Sequence, residues 1–292
     1  MRATAVKNSD IIRNPEVRPY KERNDIMKPI AQVSEEAACK IDYVFADIDD
    51  TLTTDGRLGA ASYKAMEDLS NAGIAVVPVT GRPAGWCDLI ARFWPVAGVV
   101  GENGAFFYSY DHKTTSMRRE FASPPESRLE NQRKLKEIRD RVLTEVSGAA
   151  ISTDQDFRLT DLAIDFSEDV APLPYTDVQR IKQIFEEAGA VAKISSIHVN
   201  GWFGEHDKLS MTQRFCHDVF GFYLQDRLDR AIFVGDSPND APMFAHFPMA
   251  FGVANVKDFA GKIDAEPAWV ATKRGGEGFV EIADLLLDAR QG

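Results

Sequence analysis

The chain has 292 residues, 44% of them hydrophobic, and its 45 acidic against 34 basic side chains leave a formal net charge of −11. That length accommodates one catalytic domain and a smaller companion. The negative balance argues against a nucleic-acid backbone as partner, and no apolar run is long enough to cross a bilayer. The three cysteines, Cys39, Cys87 and Cys216, are far apart and show neither paired nor metal-ligand spacing, so reduced thiols and a cytoplasmic location are expected. The five histidines form no zinc signature.

Taken in chain order, residues 1 to about 40 mix basic and acidic side chains without a secretory apolar stretch, and read as a tail or arm. The first strong element is Tyr43-Val44-Phe45-Ala46, an apolar strand that stops at Asp47-Ile48-Asp49-Asp50-Thr51. Side chains alternate along an extended backbone, so Asp47 and Asp49 can both turn toward one centre. Two carboxylates that close repel, and the pair requires a divalent cation between them or a proton on one. Arg57, in the loop that follows, is a further cation near this edge.

A second apolar run, Ile74 to Val79, ends in Thr80-Gly81-Arg82-Pro83. A hydroxyl, a glycine amide and a guanidinium before a helix-starting proline suit a phosphate, and Thr80 is the expected phosphate-binding hydroxyl. A third run, Val96 to Val100, leads into Gly101-Glu102-Asn103-Gly104-Ala105. About a hundred residues then intervene, too many for one connection between strands, and should form an inserted lid. Within it Leu135, Ile138, Val142 and Val146 keep helical spacing, as do Val178, Ile181, Ile184, Phe185 and Ala188; Leu162, Ile164 and Phe166 alternate as in a strand, and Ile197-His198-Val199 suggests another.

Past the insertion, Asp207 is placed to cap a helix that starts with Lys208. A cation in a first turn opposes the helix dipole, and a bound phosphate would give it a reason to be there. Ala231 to Val234 then runs into Gly235-Asp236-Ser237-Pro238-Asn239-Asp240, whose oxygen donors suit Mg²⁺. Pro248 to Val253 and Ala268 to Val270 read as further strands, and Gly275-Gly276-Glu277-Gly278 as the start of the terminal helix.

The four strand-end loops in this order resemble the haloacid dehalogenase superfamily of phosphotransferases, with Asp47-Ile48-Asp49-Asp50-Thr51, Thr80, Lys208 and Gly235 to Asp240 matching its four motifs. An insertion between the second and third motifs, together with Gly-Glu-Asn-Gly, resembles its subclass IIB, which includes sucrose-phosphate, trehalose-phosphate and mannosyl-phosphoglycerate phosphatases. The resemblance implies an α/β fold: a Rossmann-like core with a parallel sheet at 41–107 and 201–292, and an inserted α/β cap of the C2B type at 108–200. It further implies that Asp47 is the nucleophile that carries an aspartyl-phosphate and Asp49 the acid, then base. Thr80, Gly81 and Lys208 would bind phosphate. Mg²⁺ would be held by Asp47, the Asp49 carbonyl and Asp236, with Asn239 and Asp240 behind them. Asp50 departs from the glycine that many members carry.

Substrate selection is expected from groups that the cap lowers over these loops: Arg82, Asn103 and Asn200 first, then Arg158, Asp161, Asp165, His198 and Trp202. The activity implied is a Mg²⁺-dependent phosphatase acting on a small phosphorylated sugar or related metabolite, with a phosphomutase of the same fold as the alternative. A signalling receiver, phosphorylated on Asp47, is the reading from another class; such modules lack a hundred-residue cap.

Overall fold

The computed structural model describes residues 27–195 and 197–291. Its centre is a six-stranded parallel sheet in the order Lys28–Pro29, Trp269–Val270, Ala250–Gly252, Ala231–Gly235, Tyr43–Ala46, Ala75–Pro78. A parallel bridge from Val79 to Val100 brings in Val99–Gly101, which continues antiparallel into Phe106–Asp111 and Ser116–Phe121. Both faces of the parallel sheet are covered, which is why its strands read as unbroken apolar runs. Val44 and Ala46 pack in one layer with Met66 and Leu69 of helix Ala60–Asn71 and with Phe279 and Leu286 of helix Gly275–Gln291. Phe45 and Val77 pack in the other with Met211 and Phe215 of helix Lys208–Phe215.

Tyr43–Ala46 is flanked by Ala75–Pro78 on one side and Ala231–Gly235 on the other. The strand order therefore reverses beside it, and open α/β sheets form their crevice at the carboxyl ends of the strands at such a point. The first and fourth acidic loops meet there.

The cap is an antiparallel sheet in the order Val191–Ile194, His198–Trp202, Asp161–Asp165, Ala150–Ile151, with helices Pro125–Glu145 and Tyr175–Glu187 on one face. Leu162, Ile164 and Val199 pack against the helices with Ile138, Val142, Ile181 and Phe185. Alternation then gives Asp161, Asp165, His198, Asn200 and Trp202 to the opposite face. Among the described residues no helix is long and apolar enough to cross a membrane.

Three expected boundaries shift. Residues 27–40 are not an arm: Lys28–Pro29 pairs with Trp269–Val270, and Ile30, Val33 and Ala38 are buried in the core, while residues 1–26 lie outside the described residues. A two-residue edge strand containing proline is too short to show periodicity. The hairpin of Phe106–Asp111 and Ser116–Phe121 pairs with the core strand Val99–Gly101, so residues 108–121 continue the core sheet rather than the cap. At the far end, residue 201 falls within the last cap strand, His198–Trp202. The loop after the first motif is a hairpin, Thr53–Thr54 with Arg57–Leu58, and Arg57 is exposed and does not line the cavity between the cap and the strand ends.

One buried carboxylate joins cap to core. Glu102 accepts from Ala84 N at 3.0 Å on the core side, and from Leu159 N at 2.9 Å, Thr160 N at 2.6 Å and the Thr160 hydroxyl on the cap side. Its turn is tight: Gly104 has φ +99°, and a Cβ there would lie 1.9 Å from the Asp207 carbonyl oxygen. Glu102→Ala strands several buried donors and is expected to cost about 2 kcal/mol or more. The urea midpoint checks this; an unchanged midpoint would mean that water replaces the carboxylate without penalty.

Candidate active site

The register of the two central strands sets Ala46 opposite Val234, and Asp47 N donates to Val234 O at 2.9 Å. Asp47 and Asp236 thereby emerge on either side of one point, joined by Asp240 from the turn Pro238–Asp240; one oxygen from each of the three lies within 4.8 Å of the others. Asp240 Oδ2 accepts from Asp236 N at 3.1 Å, and a Cβ at Gly235 would lie 2.5 Å from that oxygen, so this approach requires glycine. Lys208, 6% exposed, donates to Asp47 Oδ1 at 2.8 Å and to Asp240 Oδ1 at 2.9 Å. Its helix is capped as expected, with Asp207 accepting from Ser210 N at 2.7 Å. Thr51 Oγ1, for which the sequence suggests no role, donates to Asp236 Oδ1 at 3.4 Å.

Burial dominates the electrostatics. It pushes the Asp47 carboxyl up to about 7 against the pull of Lys208, with Asp240 and Asp49 adding repulsion. Burial, then Asp240 and Asp47, raise Asp236 well above the usual carboxylate range. On Lys208 burial acts downward, but the charges of Asp240 and Asp47 outweigh it and hold the ammonium. Three carboxylates thus face one buried cation, and this oxygen-rich, over-negative set fits a divalent ion of the Mg²⁺ kind. Both Asp240 oxygens are already engaged, by Lys208 and the Asp236 amide, which leaves Asp47 and Asp236 as the side-chain donors.

Asp49 departs from expectation. It lines the same cavity as Asp47, but its carboxylate does not share a centre with it. Arg82 holds it through Nε at 3.1 and 3.0 Å and Nη2 at 2.7 Å. Arg82 is therefore a partner of Asp49 before it is a reader of substrate. Thr80 is fully buried at the end of its strand; its hydroxyl accepts from Arg82 N at 3.0 Å, which leaves the hydroxyl proton for a bound anion. Gly81 lines the cavity beside Asn103, whose side chain would lie 3.2 Å from a Cβ on that glycine.

The cap closes this floor into a cavity of about 730 Å³. Asn103, Arg158, His198 and Asn200 line it, together with Asp236 and Asn239 from the fourth motif. Three expected readers lie elsewhere. Asp161 is buried behind the wall, held by Arg158 Nη1 at 3.0 Å and Asn200 Nδ2 at 3.2 Å. Asp165 accepts from the amides of Ser167, Glu168 and Asp169 and so builds a turn. Trp202 stacks on His206, ring centres 5.6 Å apart, where the chain returns to the core. Sequence reasoning missed Tyr175 from the cap and Asn255, Lys262 and Arg274 from the core, all of which line the cavity. Asn255 had a signal only in three dimensions: its side chain joins Asp50 O at 3.1 Å to Gly275 N at 3.0 Å.

Residues 44–124 match the model of the haloacid dehalogenase-like hydrolases. No curated protein matches the sequence. Solved structures share the fold. A HAD/COF-like hydrolase described as putative, from Plasmodium vivax, is 20% identical with a TM-score of 0.62, over 87% of this chain and 99% of its own. The sucrose-phosphatase of Synechocystis, solved with sucrose and phosphate, is 13% identical with a TM-score of 0.57, over 83% and 97%. The subclass IIB sugar phosphatase BT4131 is 15% identical with a TM-score of 0.54, over 79% and 93%.

Proposed function

We propose that this chain, which carries the haloacid dehalogenase-like fold, is a Mg²⁺-dependent phosphatase that hydrolyses a small phosphorylated sugar or related metabolite through an aspartyl-phosphate on Asp47. The observation that carries the reading is Lys208 bonded to both Asp47 and Asp240, with Asp236 beside them, at the floor of a cap-covered cavity. A buried ammonium among carboxylates at the end of a parallel sheet is costly for stability and is explained by an anionic substrate that must be held there.

Asp47 attacks phosphorus with one carboxylate oxygen while Lys208, the Thr80 hydroxyl and the Gly81 amide hold the other phosphoryl oxygens. The bond to the leaving oxygen breaks, and Asp49 supplies its proton. Asp49, now ionised, takes a proton from the water that attacks the aspartyl-phosphate, which returns Asp47 and frees phosphate. Mg²⁺, held by Asp47, Asp236 and the Asp49 main-chain carbonyl with Asn239 and Asp240 behind, would offset the repulsion between nucleophile and phosphate. The cap covers the cavity, and Asn103, His198 and Asn200 on its lining offer hydrogen bonds of the kind that sugar hydroxyls need. The similarity to sucrose-phosphatase and to a subclass IIB sugar phosphatase favours a sugar phosphate as substrate. Three free cysteines, two of them buried, accord with a cytoplasmic location.

Phosphate release from a panel of sugar phosphates, with Mg²⁺ and with chelator, tests the reading. Release that requires metal is expected. An isomeric sugar phosphate in place of free phosphate would make the chain a phosphomutase, and silence with every substrate would remove the phosphatase.

A further inference from the structure

Arg82 is gripped on three sides. One edge of its guanidinium, Nε and Nη2, holds the Asp49 carboxylate; its face lies over Trp86 at 4.5 Å; and Nη1, on the far edge, points at two cap carboxylates, Glu168 Oε1 at 3.6 Å and Asp154 Oδ2 at 3.8 Å. The two cap groups differ. Asp154 is already bound to Arg158 at 2.9 Å and to Ser152 at 2.8 Å within the cap. Glu168 sits on the turn that Asp165 builds, its amide held by Asp165 Oδ1 at 2.8 Å, and its second oxygen lies 2.9 Å from His198 Nε2. Asp165 does not read the substrate; the turn it holds presents Glu168 to Arg82.

We propose that Glu168 is a positioning residue for the leaving-group acid. It fixes the outer edge of Arg82 so that the inner edge aims the Asp49 carboxyl at the leaving oxygen, and it does so only while the cap is seated. The proposal rests on the phosphatase reading above. The bonds to Asp49 fix one edge of the guanidinium and the stack on Trp86 fixes its face; the charge of Glu168 holds the remaining edge from across the domain boundary. Glu168 does not itself line the cavity; it meets two residues that do, Arg82 and His198, and the route through His198 acts on sugar binding whereas the route through Arg82 and Asp49 acts on proton transfer. In the step concerned, the bond from Asp47 to phosphorus forms, the bond to the leaving oxygen breaks, and the Asp49 proton passes to that oxygen. A 4-nitrophenolate leaving group departs without needing the proton.

Glu168→Gln keeps the shape and removes the charge, and at 32% exposure the side chain leaves no buried hole. General acid–base groups contribute about 10²–10⁴-fold, and a residue that only positions one contributes part of that. Expected is a fall in kcat of about tenfold on the best sugar phosphate with KM little changed, less than about twofold change in kcat on 4-nitrophenyl phosphate, and an unchanged melting temperature; a fall carried by KM alone would place the effect on His198 and overturn the proposal. Equal falls on both substrates, or no fall on either, would overturn the proposal. Should Glu168→Gln melt early, Glu168→Asp carries the same comparison of leaving groups. A parent that hydrolyses neither substrate would instead overturn the phosphatase reading itself.

Discussion

Asp47→Asn is expected to lower turnover by at least about 10⁴-fold while leaving the fold intact and phosphate binding measurable. The amide keeps the shape of the carboxyl, and its oxygen can still accept from Lys208 at the position now 2.8 Å away. What it loses is the nucleophile. The same substitution has a signature independent of activity. Burial, with help from Asp240 and Asp49, raises the folded-state carboxyl from an ordinary 3.8 to about 7. Between those values the folded chain holds a proton that the unfolded chain has released, so the metal-free parent loses stability as pH rises through that window. Asn does not titrate, and the variant's stability should fall less over the same range. Substantial residual kcat would move the nucleophile elsewhere; an unaltered pH slope of stability would mean that Asp47 is not the strained carboxyl of the cluster.

The floor of the cavity is legible in the sequence because each of its parts has a local signature. Val44 and Phe45 lie on a strand buried on both faces, so the apolar run is continuous and its arrest at Asp47 stands out. Asp207 caps its helix through the following turn, and Lys208 follows by one residue, so its place is fixed by capping alone. The cap's inner face is half legible: alternation along two strands names its five polar or aromatic members, but not which of them meet the cavity and which stand behind it. Arg82 illustrates what sequence withholds. Its neighbours in the chain suggest an anion ligand, whereas its partners, Asp49, Asp154 and Glu168, come from three other segments. Asp50 shows the reverse case, a departure from the family pattern that the backbone explains. Its φ is +56°, a left-handed conformation that glycine adopts freely and that aspartate tolerates better than most residues. Residues 108–121, most of the hairpin after Gly104, read as cap from sequence because nothing in their alternation says which sheet they join; pairing with Val99–Gly101 decides that.

Lys208→Met should uncouple two roles that the parent combines. The ammonium is almost fully buried and bonded to Asp47 and Asp240, with Asp236 within reach of both carboxylates. Methionine fills much of the same volume and suits the helix, so the change removes charge more than packing. Removing one partner of a buried ion pair costs about 3–5 kcal/mol because the remaining charges are left uncompensated. In metal-free buffer the variant should therefore unfold well below the parent. A divalent ion at Asp47 and Asp236 replaces part of the missing charge, and ligands that bind the folded state stabilise it by mass action. Mg²⁺ should consequently raise the melting temperature of the variant more than that of the parent. Turnover should not follow. With metal saturating and the fold restored, kcat should remain about 10²–10³-fold low, the range measured when a single preorganised donor to a developing anion is removed. A metal at Asp47 and Asp236 would restore charge but not the hydrogen-bond donor that Lys208 supplies. Equal Mg²⁺ shifts in parent and variant would place the ion away from this cluster. Full turnover in Mg²⁺ would reduce Lys208 to a structural counter-ion, and with it the strongest single reason for reading the cavity as a phosphate site.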